Sequence, residues 1–314
     1  MTTILSRARL QTRHHVQGAL VFDTALHLGG GRIPAKGTDS PIVRDGFGRP
    51  YIPGSSIKGA VRAAVERIVP NLNISACGLY DQEANCLSAL PETDPLRKSY
   101  RDIQEAIGRK IKESEELAKA FSTLLKARGK TLSDLPDTDE VSEENLLFLL
   151  EFHLCDVCKA FGSPFISSAI FFHDAAVDPQ QWVGITQVRD GVGIDRDSGR
   201  AVDGLKYDYE VVPAETAFRF SLTIETGDPV ALGLAALALH ELRGGNVPLG
   251  GIRSRGLGRC HLDHEKTEVE SLDFSDLEVL KAYLSENKTS RLSLDEFINK
   301  HISNLWTTKE GSHV

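Results

Sequence analysis

The chain has 314 residues, of which 41% are hydrophobic and 25% are charged. This composition is that of a globular protein that buries one large core or two smaller ones, and it excludes an intrinsically disordered chain. The net charge of -8 excludes a protein that coats nucleic acids indiscriminately. An average charge still leaves room for a local basic surface.

Neither the apolar stretches nor the cysteines indicate a secreted or membrane protein. The longest apolar stretch, residues 229–239, is about half of the roughly 20 residues that a membrane span needs, and the N-terminus lacks a cleavable signal pattern. Five cysteines are too sparse for a disulfide scaffold, and they group with a histidine as metal ligands do. We therefore expect a reducing, cytoplasmic compartment and no membrane partner.

Positive charge is concentrated in two glycine-rich parts of the chain. The first basic segment, residues 30–67, holds seven Lys or Arg residues against three acidic ones, and the second basic segment, residues 243–259, holds four arginines and no acid. By contrast, residues 131–151 and 262–278 each hold seven acidic residues. The two basic segments are therefore the candidate surface for an anionic ligand.

The first predicted elements are a strand and a helix. Residues 16–28 mix β-branched and apolar residues and predict a strand that runs into the glycines 29–31. Apolar residues at helical spacing predict a helix at about 55–69, with Ser55 or Ser56 as its N-cap and Pro70 just past its end.

The later elements repeat this alternation. Strands are predicted within 167–177 and 215–225, and the glycines and charges between them predict an exposed hairpin. Residues 229–242 predict a helix that is apolar nearly all round and therefore buried on several sides. A glycine-rich turn then leads into a final strand. The order strand, helix, strand, strand, helix, strand matches a ferredoxin-like α+β fold.

An insertion and an extension accompany this core. The predicted boundaries are 1–70 and 166–264 for the core, 71–165 for an inserted subdomain and 265–314 for a C-terminal helical extension. The insertion contains four cysteines and a charged helical stretch near 97–128. Helices are predicted near 274–286 and 293–305 in the extension.

The first basic segment joins glycines to a helix start, where backbone N–H groups attract phosphate. Lys58 and Arg62 stand one turn apart on that helix. This pattern predicts a phosphate cradle. The alternative is that Pro53, Gly54 and Ser55 only shape the helix N-terminus and that the basic side chains are solvated.

The second basic segment places Arg253, Arg255 and Arg259 among glycines. Arginine forks suit phosphate oxygens, and glycines let the backbone lie against a nucleic acid strand. The alternative is a glycine-rich corner in a sheet.

Three stretches in this order resemble the RAMP superfamily of CRISPR systems, and among its members the backbone subunit of type III effector complexes. They are LHLGGGRIPAKGTDSPIVRDGFGRPYIPGSSIKGAVR at 26–62, GVGIDRDSGRAVDGLKYDYEVVP at 191–213 and GGIRSRGLGR at 250–259. The resemblance covers roughly residues 16–262. An ordered match of three stretches is more specific than any single glycine motif.

The resemblance implies a modified RNA-recognition fold that assembles along a CRISPR RNA with further copies of itself and other type III subunits, and that meets complementary target RNA. Residues 188–210 would form a thumb hairpin, with Val192 and Ile194 as candidate wedges that push a base aside. The alternative for both residues is packing within the loop. The implied RNA contacts are Gly30, Gly31, Arg44, Ser55, Ser56, Lys58, Arg62, Val192, Ile194, Arg253, Arg255, Gly256, Gly258 and Arg259.

The resemblance also implies that Asp39, in the loop after the first strand, cuts target RNA with magnesium or manganese. One carboxylate there holds the divalent ion or takes the proton of the attacking 2′-hydroxyl, and the sequence leaves both roles open. The alternative for Asp39 is an Asx turn or a cap for Ser40-Pro41. Asp45 is a rival carboxylate, although its RDGFG context favours a turn.

Five residues compete for the four positions of a structural zinc ion. They are Cys77 and Cys86 in CGLYDQEANC, and His153, Cys155 and Cys158 in HLCDVC. The candidate sets are the four cysteines, or three of them with His153. Free buried cysteines without a metal are the alternative, and Cys260 is expected to pack in the final strand.

The resemblance thus implies an RNA-guided, divalent-metal-dependent endoribonuclease that cleaves target RNA at regular intervals. One alternative is a backbone subunit that only binds guide RNA. The other is a RAMP endoribonuclease that processes precursor CRISPR RNA by histidine general base catalysis, for which His14 and His15 are the candidates.

Overall fold

The computed structural model describes residues 10–30, 38–78, 86, 123, 126, 154–163 and 166–307. Gly31, His153 and nearly all of the predicted helical stretch near 97–128 lie outside the described residues. Within the described parts of the chain, no helix combines the length and the apolar character that crossing a lipid bilayer requires.

The described elements follow the predicted alternation of strands and helices. The strands are β1 (Thr12–Phe22), β2 (Tyr51–Ile52), β3 (Ile170–Phe172), β4 (Ala175–Ala176), β5 (Gln187–Ile194), β6 (Ala201–Val211), β7 (Ala217–Glu225), β8 (Cys260–Leu262), β9 (Glu268–Asp273) and β10 (Ser290–Ser293). The α-helices are α1 (Gly54–Ile68), α2 (Asp156–Phe161), α3 (Pro229–Arg243), α4 (Leu277–Glu286), α5 (Leu294–Ile302) and α6 (Asn304–Thr307).

The main sheet is antiparallel, with the strand order β10-β9-β1-β7-β3 and with β8 beside the C-terminal end of β1. The strand β1 is central because its alternate residues are apolar: Val16 and Leu20 are fully buried, and Val16 pairs with Leu222 on β7 and Val269 on β9. An antiparallel sheet combined with helices confirms the predicted α+β class.

The helices pack on the apolar face of this sheet. The helix α3 contacts α1, α2 and α5, and its residues from Ala231 to Leu239 are all buried. The prediction of a helix buried on several sides is therefore confirmed. The helix α2, which lies within the predicted insertion, is also part of this core because Val157 and Phe161 are fully buried. The chain thus rejoins the core before residue 166.

The C-terminal segment differs from the predicted helical extension. The helices α4 and α5 lie near the predicted positions, but β9 pairs with β1 over Thr12–Gln17 and β10 pairs with β9. The segment therefore widens the main sheet by two strands. In β9, Glu268 and Glu270 alternate with Val269 and Ser271. The two glutamates face away from the core and Val269 is buried, but the acidic residues hide this strand pattern in the sequence.

The predicted hairpin is formed by β5 and β6, which pair only with each other among the described strands. Val192 lies opposite Lys206, and both Val192 and Ile194 are exposed. At the tip, Asp195 Oδ1 accepts the backbone N–H groups of Asp197 and Ser198. The thumb hairpin is therefore a two-stranded antiparallel ribbon that carries exposed apolar side chains near its tip.

Candidate functional site

Both basic segments contact one stretch of β6, Tyr207–Glu210, which we call the thumb base, and each contacts a different pair of its residues. Residues of a strand point alternately to opposite sides. Asp208 and Glu210 contact the first basic segment, whereas Tyr207 and Tyr209 contact the second. The base of the hairpin therefore brings together two stretches that are about 200 residues apart in the chain.

The first basic segment runs along the thumb base from Thr38 to Arg44. The backbone N–H of Glu210 donates to Ser40 O at 3.0 Å, and Ile42 N donates to Glu210 Oε2 at 3.1 Å. The guanidinium of Arg44 forms an ion pair with Glu210. Desolvation opposes ionisation of Glu210, but hydrogen bonds from Thr186, Ile42 and Arg44 outweigh it and lower the pKa of this carboxyl. Arg44 thus forms an ion pair with Glu210, and part of its side chain remains exposed.

Asp39 and Asp208 bind each other's backbone. The N–H of Asp39 donates to Asp208 Oδ1 at 2.7 Å, and the N–H of Asp208 donates to Asp39 Oδ2 at 3.1 Å. The hydroxyl of Thr38 also donates to Asp208 Oδ1, at 2.7 Å. Hydrogen bonds from Thr38 and from the Asp39 N–H lower the pKa of Asp208. Asp39 is exposed, so its carboxylate is held in place and remains open to solvent.

The local turn does not depend on Asp39. The N–H of Ser40 donates to Thr38 Oγ1 at 3.4 Å, while the Asp39 carboxylate reaches the hairpin. Asp45 is a turn residue, because its Oδ1 accepts the N–H groups of Phe47 and Arg49, each at 2.9 Å. Asp45 therefore stabilises its own turn, whereas the carboxylate of Asp39 contacts the hairpin strand β6.

The second basic segment reaches the thumb base through apolar and cationic contacts. Leu257 packs in a small buried cluster with Tyr209, and Ile252 and Tyr207 pack against that cluster. The guanidinium of Arg255 lies over the Tyr207 ring, 5.7 Å from its centroid. This packing fixes the loop of the second basic segment beside the hairpin.

The remaining predicted residues of this loop are exposed arginines and structural glycines. Arg253, Arg255 and Arg259 are exposed, and Arg259 Nε lies 3.4 Å from Asp23 Oδ2. Gly256 ends a short 3₁₀ turn at Arg253–Arg255. Gly258 has a φ of +81°, and a Cβ there would lie 2.0 Å from Leu249 O. Only glycine fits that position.

His27, which the sequence analysis did not select, joins the two basic segments. It is buried, its Nδ1 lies 2.7 Å from Glu210 O and its Nε2 lies 3.3 Å from Ser40 Oγ. Its carbonyl accepts the N–H of Gly251 at 2.8 Å. The only sequence signal was a polar residue between two leucines before a glycine run. Within the first basic segment, the N–H of Gly30 donates to Pro41 O at 2.9 Å.

The helical half of the first basic segment lies against different elements. The predicted serine caps are wrong, because Pro53 is the N-cap and Ser55 and Ser56 lie inside α1. The N–H of Gly54 donates to Asp174 Oδ1 at 2.7 Å, and a Cβ on Gly54 would lie 2.3 Å from Phe172 O. The helix therefore begins where its backbone touches the segment after β3.

Lys58 and Ser55 line a cavity of about 740 Å³ between α1 and residues 161–163 and 166–168. Burial, followed by the charge of Arg62, lowers the pKa of Lys58. Lys58 therefore faces a recess between α1 and the segment that follows α2.

Arg62 does not belong to an accessible basic surface. It is 6% exposed, and its guanidinium donates to Glu66 Oε1 at 2.7 Å, Gly162 O at 2.6 Å and Cys158 Sγ at 3.2 Å. A buried guanidinium with these partners has no face left for an RNA phosphate. The expectation that Arg62 contacts RNA is therefore corrected: its guanidinium binds Glu66, Gly162 and Cys158.

Four of the predicted metal ligands come together beside Arg62. The Sγ atoms of Cys77, Cys86, Cys155 and Cys158 all lie within 4.8 Å of one another, and we call them the cysteine cluster. An ion with four Zn–S bonds of about 2.3 Å has its sulfurs about 3.8 Å apart. The cluster can therefore hold a metal ion. It corresponds to the four-cysteine ligand set, and His153 lies outside the described residues.

Within the cysteine cluster, Cys158 is favoured as the thiolate, while hydrogen bonds within the cluster raise the pKa of Cys86 and of Cys155. Hydrogen bonds from Cys155 and Cys86, together with the Arg62 guanidinium, lower the pKa of Cys158 to about 4. Thiolate is the form that binds metals. Cys260 lies apart in β8, where burial raises its pKa to about 12, as expected for a packed cysteine.

The two histidines considered as general bases lie on opposite faces of β1. His14 is buried, with Nδ1 2.8 Å from Ser271 Oγ, and burial followed by the charge of His301 lowers its pKa to about 4. His15 is on the open face, where its Nδ1 lies 3.1 Å from Thr223 Oγ1 and its Nε2 2.7 Å from Gln17 Nε2. The pair therefore cannot act together on one substrate.

Comparison with known proteins gives short matches to CRISPR subunits. The CRISPR system Cms endoribonuclease Csm3 of Methanocaldococcus jannaschii is 48% identical over 54 residues, which are 17% of this chain and 22% of that protein. The protein of the same name from Methanothermobacter thermautotrophicus is 44% identical over 61 residues, 18% of this chain and 25% of that protein.

A third relative is the CRISPR system Cms protein Csm5 of Streptococcus thermophilus, 37% identical over 70 residues, 21% of this chain and 19% of that protein. The matched parts thus span about a quarter or less of the length of each curated relative. A family model described as the RAMP superfamily matches residues 19–261. Because that match covers more than half of the chain and includes the end of β1, α1, the thumb hairpin, α3 and the second basic segment, the chain belongs to the RAMP superfamily.

Proposed function

We propose that this protein is a backbone subunit of a type III CRISPR interference complex. The subunit would bind CRISPR RNA and cleave complementary target RNA at regular intervals, with Asp39 as its catalytic residue. The observation that carries the proposal is the position of Asp39 at the thumb base, where both basic segments meet: its exposed carboxylate accepts the N–H of Asp208, and its own N–H donates to the Asp208 carboxylate. The names of the Csm3 and Csm5 relatives support the assignment to a type III complex with other subunits.

The strand order supports a ferredoxin-like core. The strands β8, β1, β7 and β3 are neighbours in that order, α1 lies between β1 and β3 in the chain, and α3 lies between β7 and β8. This is the βαββαβ arrangement of that fold. The insertion and the thumb hairpin interrupt it between the first and third strands.

Guide RNA would lie along the exposed arginines of the second basic segment. Arg253, Arg255 and Arg259 are exposed, and fork-shaped guanidinium groups suit phosphate oxygens. Val192 and Ile194, exposed on the hairpin above the thumb base, would separate neighbouring bases. Negative charge elsewhere in the chain would limit binding of other nucleic acids.

Cleavage would use magnesium or manganese bound by Asp39. Oxygen ligands suit these ions, which commonly bind one or two carboxylates together with substrate phosphate, so an exposed carboxylate at the thumb base fits the requirement. A bound ion would supply charge stabilisation at the scissile phosphate. Asp39 would hold that ion, or accept the proton of the attacking 2′-hydroxyl.

The cysteine cluster would hold a structural zinc ion. Four thiol ligands leave no open position for water, which is the property of structural rather than catalytic zinc sites. The zinc would join the predicted insertion, through Cys77 and Cys86, to α2 of the core. Together with the absence of any disulfide among the described cysteines, this site supports a reducing, cytoplasmic location.

The decisive experiment compares Asp39→Asn with Asp45→Asn in the complex reconstituted with guide RNA, complementary target RNA and magnesium. Asparagine keeps an oxygen that accepts hydrogen bonds in both positions but removes the charge. We expect Asp39→Asn to lower the single-turnover cleavage rate about 10²- to 10⁴-fold, the usual contribution of one acid–base or metal-binding group, while Asp45→Asn cleaves normally.

Three outcomes separate the hypotheses. Normal cleavage by an assembled Asp39→Asn complex would refute the role of Asp39. Guide binding and assembly without target cleavage by the unaltered protein would indicate the non-catalytic backbone subunit. Cleavage of precursor CRISPR RNA in the presence of EDTA would indicate the processing endoribonuclease.

A further inference from the structure

The loop that carries Asp39 and the hairpin strand β6 are joined by a reciprocal contact between two acidic residues. Each of Asp39 and Asp208 accepts the backbone N–H of the other, at 3.1 and 2.7 Å. The Thr38 hydroxyl adds a third bond, to Asp208 Oδ1 at 2.7 Å. Three hydrogen bonds therefore fix two consecutive loop residues to one residue of the thumb base.

We propose that Asp208 is a positioning residue for the cleavage reaction, which sets the place of the Asp39 carboxylate relative to the thumb hairpin. This inference rests on the proposed function of Asp39. Nothing in the family match or the relatives' names assigns a role to Asp208, and it was not among the residues selected from the sequence.

The geometry separates the tasks of the two carboxylates. Asp208 Oδ1 accepts two hydrogen bonds from the loop, from the Thr38 hydroxyl and from the Asp39 N–H. This oxygen is therefore occupied by the loop. Asp39 uses Oδ2 to accept the Asp208 N–H and is itself exposed. Asp208 thus orients the loop, and Asp39 faces the solvent that RNA would replace.

The rest of the loop strengthens this coupling. Ser40 O and Ile42 N bind the backbone and side chain of Glu210, two residues further along β6. Contacts at both positions align the loop in a fixed register beside the strand. A displacement of the thumb hairpin would therefore move Asp39 with it, so the position of the hairpin in the RNA would also define the position of the cut.

Two substitutions distinguish positioning from metal binding. Asp208→Asn keeps an oxygen that accepts the N–H of Asp39 and the hydroxyl of Thr38, whereas Asp208→Ala removes it. We expect Asp208→Ala to lower the single-turnover cleavage rate about 10- to 100-fold, as displacement of a catalytic group does, with the affinity for target RNA unchanged. Asp208→Asn is expected to cleave at a rate close to that of the unaltered chain.

Asp190 provides a matched control because it lies directly opposite Asp208 on β5. Its side chain is exposed and lies 3.4 Å from Lys206 Nζ. Asp190→Ala therefore removes the same charge from the same rung of the hairpin without removing a contact to the loop. We expect it to cleave normally.

Amide hydrogen exchange on the full chain tests the contact independently of cleavage. Asp208→Ala should accelerate exchange of the Asp39 amide, and Asp190→Ala should leave it unchanged. If Asp39→Asn cleaves normally, the proposed function fails, while the exchange rate at Asp39 still decides whether Asp208 holds the loop.

Two results would overturn the proposal. A loss of cleavage in Asp208→Asn as large as in Asp208→Ala would show that the charge of Asp208 acts directly, and normal cleavage by Asp208→Ala would show that it has no role. If Asp208→Ala does not assemble, Thr38→Val removes one of the three hydrogen bonds and should give a smaller loss. Thr38→Ser should restore the rate, and failure to do so would count against the proposal.

Discussion

The thumb base and the cysteine cluster are both built from segments that are distant in the chain. Each contacts an arginine of the first basic segment, but one arginine is partly exposed and the other is buried. At the thumb base, Arg44 pairs with Glu210 and keeps 35% of its side chain exposed. At the cysteine cluster, Arg62 is buried and donates to Cys158. Two arginines that look alike in the sequence therefore differ in exposure, because the packing around Arg44 leaves it at the surface and the packing around Arg62 covers it.

The largest effect is expected at the cysteine cluster. A structural zinc ion contributes about 10 kcal/mol or more in small zinc-binding peptides, which is comparable with the whole stability of a typical domain. Cys158→Ala should therefore abolish stoichiometric zinc binding and lower the melting temperature strongly. Metal analysis and thermal unfolding of freshly purified, reduced protein measure both quantities.

Cys260→Ala is the matched control for that variant. Cys260 is fully buried and lies in β8, so the control removes a buried thiol of the same size away from the cluster. It should retain zinc and lose little stability. Equal metal content and equal melting temperatures in the two variants would contradict a metal-binding role for the cysteine cluster.

Arg62 and Arg44 are expected to differ by a moderate amount. Removal of one partner from a buried charged network costs about 3 to 5 kcal/mol, because Arg62→Met would leave Glu66 and Cys158 without their cation. Arg44→Met should cost less, about 1 to 3 kcal/mol, because the buried Glu210 keeps hydrogen bonds from Thr186 and Ile42. The free energy of unfolding, measured by urea denaturation of the zinc-loaded chain, tests the difference.

Lysine sharpens the same comparison. Arg62 uses three nitrogens for three acceptors, and a lysine ammonium cannot reproduce that planar fork. Arg62→Lys should therefore remain destabilised, whereas Arg44→Lys should recover most of its stability. Full recovery by Arg62→Lys would mean that charge alone matters beside the cluster.

The smallest effect on folding, but a clear effect on binding, is expected at the second basic segment. Replacement of Arg253, Arg255 and Arg259 by glutamine should weaken guide RNA binding and reduce the salt dependence of log K by about 2, from about 0.7 per phosphate contact with a single strand. Filter binding at several salt concentrations measures this slope.

A triple lysine variant controls for net charge. Lys266, Lys281 and Lys288 lie in the C-terminal segment, each near an acidic residue. Their replacement by glutamine changes the net charge equally, but we expect the salt slope to remain unaltered. A similar reduction in both variants would indicate that overall charge, rather than the second basic segment, governs binding.

Much of the fold could be predicted because local periodicity determined it. The helix predicted at 55–69 spans Gly54–Ile68, and the one predicted at 229–242 spans Pro229–Arg243. The hairpin followed from glycines and charges between two strands. The strand β9 was missed because acidic residues dominate its sequence, although Glu268 and Glu270 lie on its open face and Val269 is buried.

The candidate site was predictable only in part. The cysteine spacing identified four sulfurs that the fold brings together, since metal ligands must be cysteines or similar residues wherever they lie. The partners of Asp39 could not be predicted, because Asp208 is 169 residues away and resembles any other acid of a surface strand. Arg62 was misassigned because helical spacing does not tell which face a later segment will cover.

The pairing of β9 with β1 has a practical consequence for shortened forms of this protein. A chain that stopped at residue 264, the core boundary suggested by the sequence, would leave Thr12–Gln17 of β1 without hydrogen-bonding partners on one side. Unpaired strand edges associate with one another. Such a truncated protein would be expected to aggregate, so studies of RNA binding should retain the segment through β10.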